Sequence, residues 1–147
     1  MTINETLKNY EIRSFPKMES AIYVLIGKHK NIHFPFYVGE TNSLYVRIRD
    51  YRTKSQFACP TDFKVGIAIQ YFERKGIEIE IATQEQVTIS KRRMEEKDKC
   101  AIFRNQGYLL LNDLQGYDYK TADADDEIHK IKLYCDKILE RQGLYDL

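Results

Sequence analysis

Residues 77–83 read Ile-Glu-Ile-Glu-Ile-Ala-Thr, directly after Gly76. Isoleucines alternating with glutamates put the apolar atoms on one face of a strand and the charge on the other. This is the cleanest half-buried strand in the chain, and its apolar face needs a cover. Two more strand-like runs come earlier, AIYVLIG at 21–27 and FYVGE at 36–40, both rich in β-branched and aromatic residues. The polar stretch KHKNIHFP between them predicts antiparallel strands joined by a loop somewhat longer than a tight hairpin.

Helical periodicity occupies other segments. NSLYVRIRDYRTK opens with Asn42 or Ser43 as N-cap, and Leu44, Ile48 and Tyr51 share one face. Arg47 lies about 40° from Tyr51 at the border of that face, while Arg49 and Arg52 point further outward. FKVGIAIQYF (63–72) is ambiguous. Phe63, Val65, Ile67, Ile69 and Tyr71 alternate like a strand, whereas Val65, Ala68, Ile69 and Phe72 form a helical face. A further helix is expected from Ser90 to Gln106, stopping at Gly107. From Thr121 the acids Asp123, Asp125, Asp126 and Glu127 suit a helix start. Ile128, Ile131, Cys135, Ile138 and Leu139 then form an apolar stripe whose expected place is against the domain's own body.

The chain has 147 residues, one domain's length, with no internal repeat or linker, so a single domain over 1–147 is expected. Its 43% hydrophobic and 31% charged residues exclude a disordered chain. Cys59, Cys100 and Cys135 are scattered and form no CxxC, which argues against a disulfide framework or zinc ribbon. No apolar run approaches the ~20 residues of a membrane span, and the N-terminus lacks a signal peptide's apolar core; the expectation is cytoplasmic. The net charge of +1 divides unevenly, into +5 over residues 1–112 and −4 over residues 113–147. A basic body with an acidic tail hints at a polyanionic partner.

Glu96 is the most informative single residue. On the helical wheel it falls between Ile89, Cys100 and Phe103, inside an apolar stripe, whereas Glu95 projects about 100° away. A carboxylate aimed inward needs a partner, either a cation or a metal. An ion pair with an arginine of the first helix and a metal site are both compatible with the wheel.

The order of the parts adds context. Ile22-Tyr23 in one strand, Tyr37-Val38-Gly39 in the next, Arg47 eight residues after the glycine, Tyr51 one turn later, a helical glutamate and Asn112 form a series. Over residues 20–112 the chain resembles the GIY-YIG nuclease family. The resemblance implies an α+β (α/β-class) fold: a small three-stranded antiparallel sheet flanked by helices, in the order strand, strand, helix, helix, strand, helix. An extra C-terminal helix over 121–143 is expected from the tail. The resemblance also makes residues 68–76 the end of the helix before the third strand.

Carried over by position, Tyr23 and Tyr37 match the two motif tyrosines, Gly39 the glycine, Arg47 the catalytic arginine and Tyr51 the residue one turn on. Glu96 matches the metal ligand and Asn112 the closing asparagine. The implied function is a metal-dependent endonuclease that hydrolyses DNA phosphodiesters with Mg²⁺ or Mn²⁺. Tyr23, Tyr37, Arg47, Tyr51 and Glu96 form its catalytic set, with Tyr23 favoured over Tyr37 as general base. Gly39, Arg49, Arg52, Lys91, Arg92 and Asn112 are expected to face nucleic acid, DNA being favoured and RNA not excluded. A monomer or weak homodimer is expected.

The chain departs from the pattern in places. Ala21 replaces the first glycine, and Glu40 follows the second motif, where an acid repels phosphate unless it faces solvent or shares the metal. Glu95 and Asp98 are near neighbours that compete with Glu96 for the ligand position. The alternative to an enzyme is a GIY-YIG-like nucleic-acid-binding or regulatory module without turnover, and Glu40 favours it.

Overall fold

A computed structural model of the chain describes residues 11–13, 21–53, 60–84, 89–114 and 124–147. Its strands are β1 (Glu11–Arg13), β2 (Ala21–His29), β3 (Ile32–Thr41) and β4 (Glu78–Gln84). Its helices are α1 (Leu44–Thr53), α2 (Pro60–Arg74), α3 (Arg92–Asn105) and α4 (Ala124–Arg141). Three long antiparallel strands in the order β4-β2-β3 make the expected sheet, and the three-residue β1 extends it alongside β4. The fold is α+β, with the C-terminal helix in place. Among the described residues, no helix is long and apolar enough to cross a membrane.

β2 is central and buried on both faces, which is why AIYVLI is continuously apolar rather than alternating. Tyr23, Leu25 and Ile81 face a core shared with α1, α2 and α4. Ile22, Val24, Ile26, Val38 and Ala82 face Cys100, Phe103 and Leu110, so α3 covers the other side. β4 lays Ile79 and Ile81 against the first core and leaves Glu78 exposed, as its alternation requires.

The connection between β2 and β3 differs from expectation. Instead of an eight-residue loop, only Lys30 and Asn31 separate the strands, with Lys30 at φ 54°. The polarity of this stretch marks solvent exposure, while its backbone still pairs, Lys28 with His33 and His29 with Ile32. Lys28 also finds Glu80 on β4 at 3.7 Å.

A bulge in β3 decides which core receives Tyr37. Leu25 pairs with Tyr37 but Ile26 with Pro35, leaving Phe36 as an extra residue. Proline has no N–H for a ladder, and β3 is an edge strand, where the loss is tolerated. The extra residue shifts the phase of β3 by one, so that Tyr37 shares a core with Phe34 and Tyr23 rather than turning to the opposite side.

The ambiguous stretch is helix α2, which starts on Pro60 and carries Asp62 in its first turn. Val65, Ala68, Ile69 and Phe72 are buried, while Phe63, Ile67 and Tyr71 are half-buried against the same core. Both periodicities are present because nearly the whole circumference is covered. Gly76 at φ 82° ends the helix, and its neighbour Ile77 donates its N–H back to Phe72 O at 2.9 Å. α3 ends as expected at Gly107, at φ 91°. In α4, Ile131, Cys135, Ile138 and Leu139 are buried in the first core, and the Tyr71 hydroxyl on α2 donates to Asp136 at 2.6 Å.

Candidate functional site

Tyr23 stands opposite Gly39 across the β2–β3 ladder. A Cβ on Gly39 would lie 2.4 Å from Tyr23 Cζ and Oη, so the glycine makes room for the ring. α1 brings Tyr51 to the same place, and the Tyr23 and Tyr51 hydroxyls hydrogen-bond to each other. The ring centroids of Tyr23, Tyr37 and Tyr51 are 6.3, 6.5 and 6.5 Å apart. These spacings fit tilted and edge-on aromatic contacts. Tyr23 is 1%, Tyr51 3% and Tyr37 8% exposed, so Tyr37 is the nearest of the three to solvent.

Arg47, one turn before Tyr51, donates from Nη1 to Asp62 Oδ1 at 2.8 Å. Its charge acts on all three tyrosines. Burial nevertheless prevails and holds each phenol well above its ordinary range. The tyrosines are therefore protonated at neutral pH in the free protein. The charge of Arg47 by itself does not bring any of them toward base character, because desolvation outweighs it.

Glu96 is half-buried on α3, and its charge acts on Tyr37. Partial burial, and then the nearby Glu40, push its carboxyl above the usual range, against Arg93 and Lys97. Glu95, its neighbour on α3, is half-buried as well. Glu40, at the end of β3, lies 4.0 Å from Arg92 and 3.9 Å from Arg93. Its Oε2 and the Arg92 Nε are buried without a hydrogen bond among the described residues.

The expected nucleic-acid contacts divide. Arg49 is exposed, 3.6 Å from Asp50, and Lys91 is exposed at the start of α3. Arg92 has a side chain only 13% exposed and turned to Glu40, which withdraws it from an open surface. The Arg52 side chain lies outside the described residues, as does Cys59. Gly39 packs on Tyr23 instead of offering an open backbone. Asn112 is also differently employed: Val38 N–H donates to its Oδ1 at 2.9 Å, and its Nδ2 donates to Val38 O at 2.7 Å. It caps the free edge of β3 where another strand would pair. Sequence reasoning missed Asp62, because an acid in a helix's first turn has an ordinary explanation in the helix dipole.

Among the described residues, no three His, Cys, Asp or Glu side chains gather as a closed metal cage. Mg²⁺ does not require one, since it binds through one or two carboxylates plus phosphate and water. Glu96, on which the Glu40 charge acts, fits that requirement, and Glu40 Oε2, ion-paired with Arg92 but without a hydrogen bond among the described residues, has acceptor capacity to spare. Compared with known family models, curated proteins and solved structures, the chain finds no match.

Proposed function

We propose that this protein is a metal-dependent endonuclease of the GIY-YIG type, hydrolysing DNA phosphodiester bonds. The observation that carries this reading is the convergence of Tyr23, Tyr37, Tyr51 and Arg47 around one spot, with Glu96 acting on Tyr37 through its charge. Two strands and α1 contribute to that spot.

The chemistry follows from the groups. Arg47 keeps its charge at any working pH; its Nη1 is on Asp62, and its other donors, without a partner among the described residues, would meet phosphoryl oxygens. Glu96, assisted by Glu40, would hold Mg²⁺, which when bound supplies charge neutralisation and a more acidic water. Tyr51 interacts with both hydroxyls, and Tyr37 suits proton transfer better than Tyr23 because it is the more exposed of the two. Burial is the larger cause that raises the Tyr37 phenol and the Glu96 charge the next; a cation held at Glu96 would offset only the second. The basic body, including exposed Arg49 and Lys91, would supply salt-sensitive attraction for the backbone.

A plasmid-nicking assay with Mg²⁺ or Mn²⁺, run also on branched DNA, tests this. Wild-type protein is expected to nick, Glu96→Gln to lose turnover by at least roughly 10²-fold while still binding DNA, and Glu95→Gln to stay active. The second reading, a binding module without turnover, draws on the pairing of Glu40 with Arg92 and Arg93, which uses up basic charge beside the site. DNA binding with no metal-dependent nicking would decide for it.

A further inference from the structure

Asp62 is the most deeply buried carboxylate near the tyrosine cluster, with a side chain 3% exposed. A buried acid is tolerated when a cation pairs with it at hydrogen-bond distance. Its partner is Arg47, at 2.8 Å, a length typical of a charge-assisted bond. The two helices that carry the pair are held together one turn further on. A Cβ on Gly66, four residues after Asp62, would meet the Tyr51 carbonyl oxygen, four residues after Arg47, at 1.8 Å. That approach exists only because residue 66 has no side chain, and it fixes Asp62 relative to Arg47. The Arg47 side chain meanwhile remains 35% exposed. One end of the fork is anchored in the interior and the rest faces the solvent side of the cluster.

We infer that Asp62 is a positioning residue: it holds the Arg47 guanidinium in the one orientation from which its other donors meet a phosphoryl group. The inference rests on the endonuclease reading for its consequence but not for its geometry. A long flexible cation misplaced by about 1 Å can lose on the order of 10²-fold in rate. Asp62→Ala is therefore expected to lower kcat by roughly 10–10²-fold with KM changed by less than about threefold. Asp62→Asn keeps an acceptor at the same distance and is expected to recover most of the rate. Arg47→Ala with Asp62→Ala is expected to be no slower than Arg47→Ala alone, since the acid acts only through the arginine.

The activity-independent measurement is ¹⁵N NMR of the guanidinium groups, with Arg47 assigned from the Arg47→Lys spectrum. Hindered rotation of the Arg47 guanidinium is expected in the wild type and in Asp62→Asn, and free rotation in Asp62→Ala. Should Asp62→Ala not fold, Asp62→Ser, which cannot span to Arg47, carries the same comparison. Wild-type protein that nicks no DNA but loses Arg47 restraint on Asp62→Ala would sink the endonuclease reading and leave the anchoring intact. Unchanged Arg47 spectra in Asp62→Ala, or rate losses that add in the double variant, would overturn the inference.

Discussion

Asn112→Ala separates a structural asparagine from a nucleic-acid contact. Asn112 satisfies both backbone groups of Val38, through bonds of 2.9 and 2.7 Å, in the part-buried edge of β3 between Tyr37 and Gly39. Truncation removes both bonds at once. A protein hydrogen bond contributes about 0.5–1.5 kcal/mol net, and a buried group left unpaired costs about 1–3 kcal/mol. Water can reach part of the vacated edge, so the lower half of the combined range applies, about 2 kcal/mol. For a chain of this length that lowers Tm by roughly 4–8 °C. With no tryptophan in the chain, far-UV circular dichroism under urea is the suitable probe. Amide exchange at Val38 should accelerate in the variant. Asn112→Asp adds a test by pH. The protonated acid can accept from Val38 N–H and donate to Val38 O as the amide does, whereas the carboxylate cannot donate. The folded state therefore raises that carboxyl's pKa. The variant should approach wild-type stability below the unfolded value of ~3.9 and lose ground as pH rises through the folded one. A change of less than about 0.5 kcal/mol in Asn112→Ala, together with weakened DNA binding, would refute the edge-capping role and restore the nucleic-acid contact.

Gly39→Ala forces a methyl group to 2.4 Å from the Tyr23 ring, against an ordinary carbon contact of roughly 3.5–4.0 Å. With Tyr37 and Tyr51 packed on that ring, the overpacking should cost about 1–3 kcal/mol in urea denaturation, and adding Tyr23→Leu should return part of it. Full stability in the single variant would mean that the ring moves freely. The third test is metal dependence against pH. Glu96 sits above the usual carboxylate range, so protons compete with metal at higher pH than for an exposed glutamate. The Mg²⁺ concentration for half-maximal binding or nicking should rise as pH falls, and Glu40→Gln, which removes the repelling neighbour, should move that rise to lower pH. An unchanged profile would show that the two carboxylates do not share a site.

Much of the architecture was legible in the sequence because it depends on local period. The alternation at 77–83 buries one face of β4 whatever surrounds it, and the stripe of α4 needs a cover wherever the helix lies. The spacing of Arg47 and Tyr51 puts both on adjoining faces of one helix. What local period cannot see, tertiary structure decided. Residues 63–72 fit two periods, and only packing on both sides of α2 selects the helix. The polar hairpin pairs because backbone groups pair regardless of side chain. The Phe36 bulge alone turns Tyr37 to the side of Tyr23, and no side-chain pattern announces an extra residue. Asn112 meets Val38, and Asp62 meets Arg47, across stretches of chain that carry no shared period. Such contacts are set by how helices and strands come to rest against each other. The residue types at these positions have ordinary local uses, so their partners become visible only when the fold supplies them.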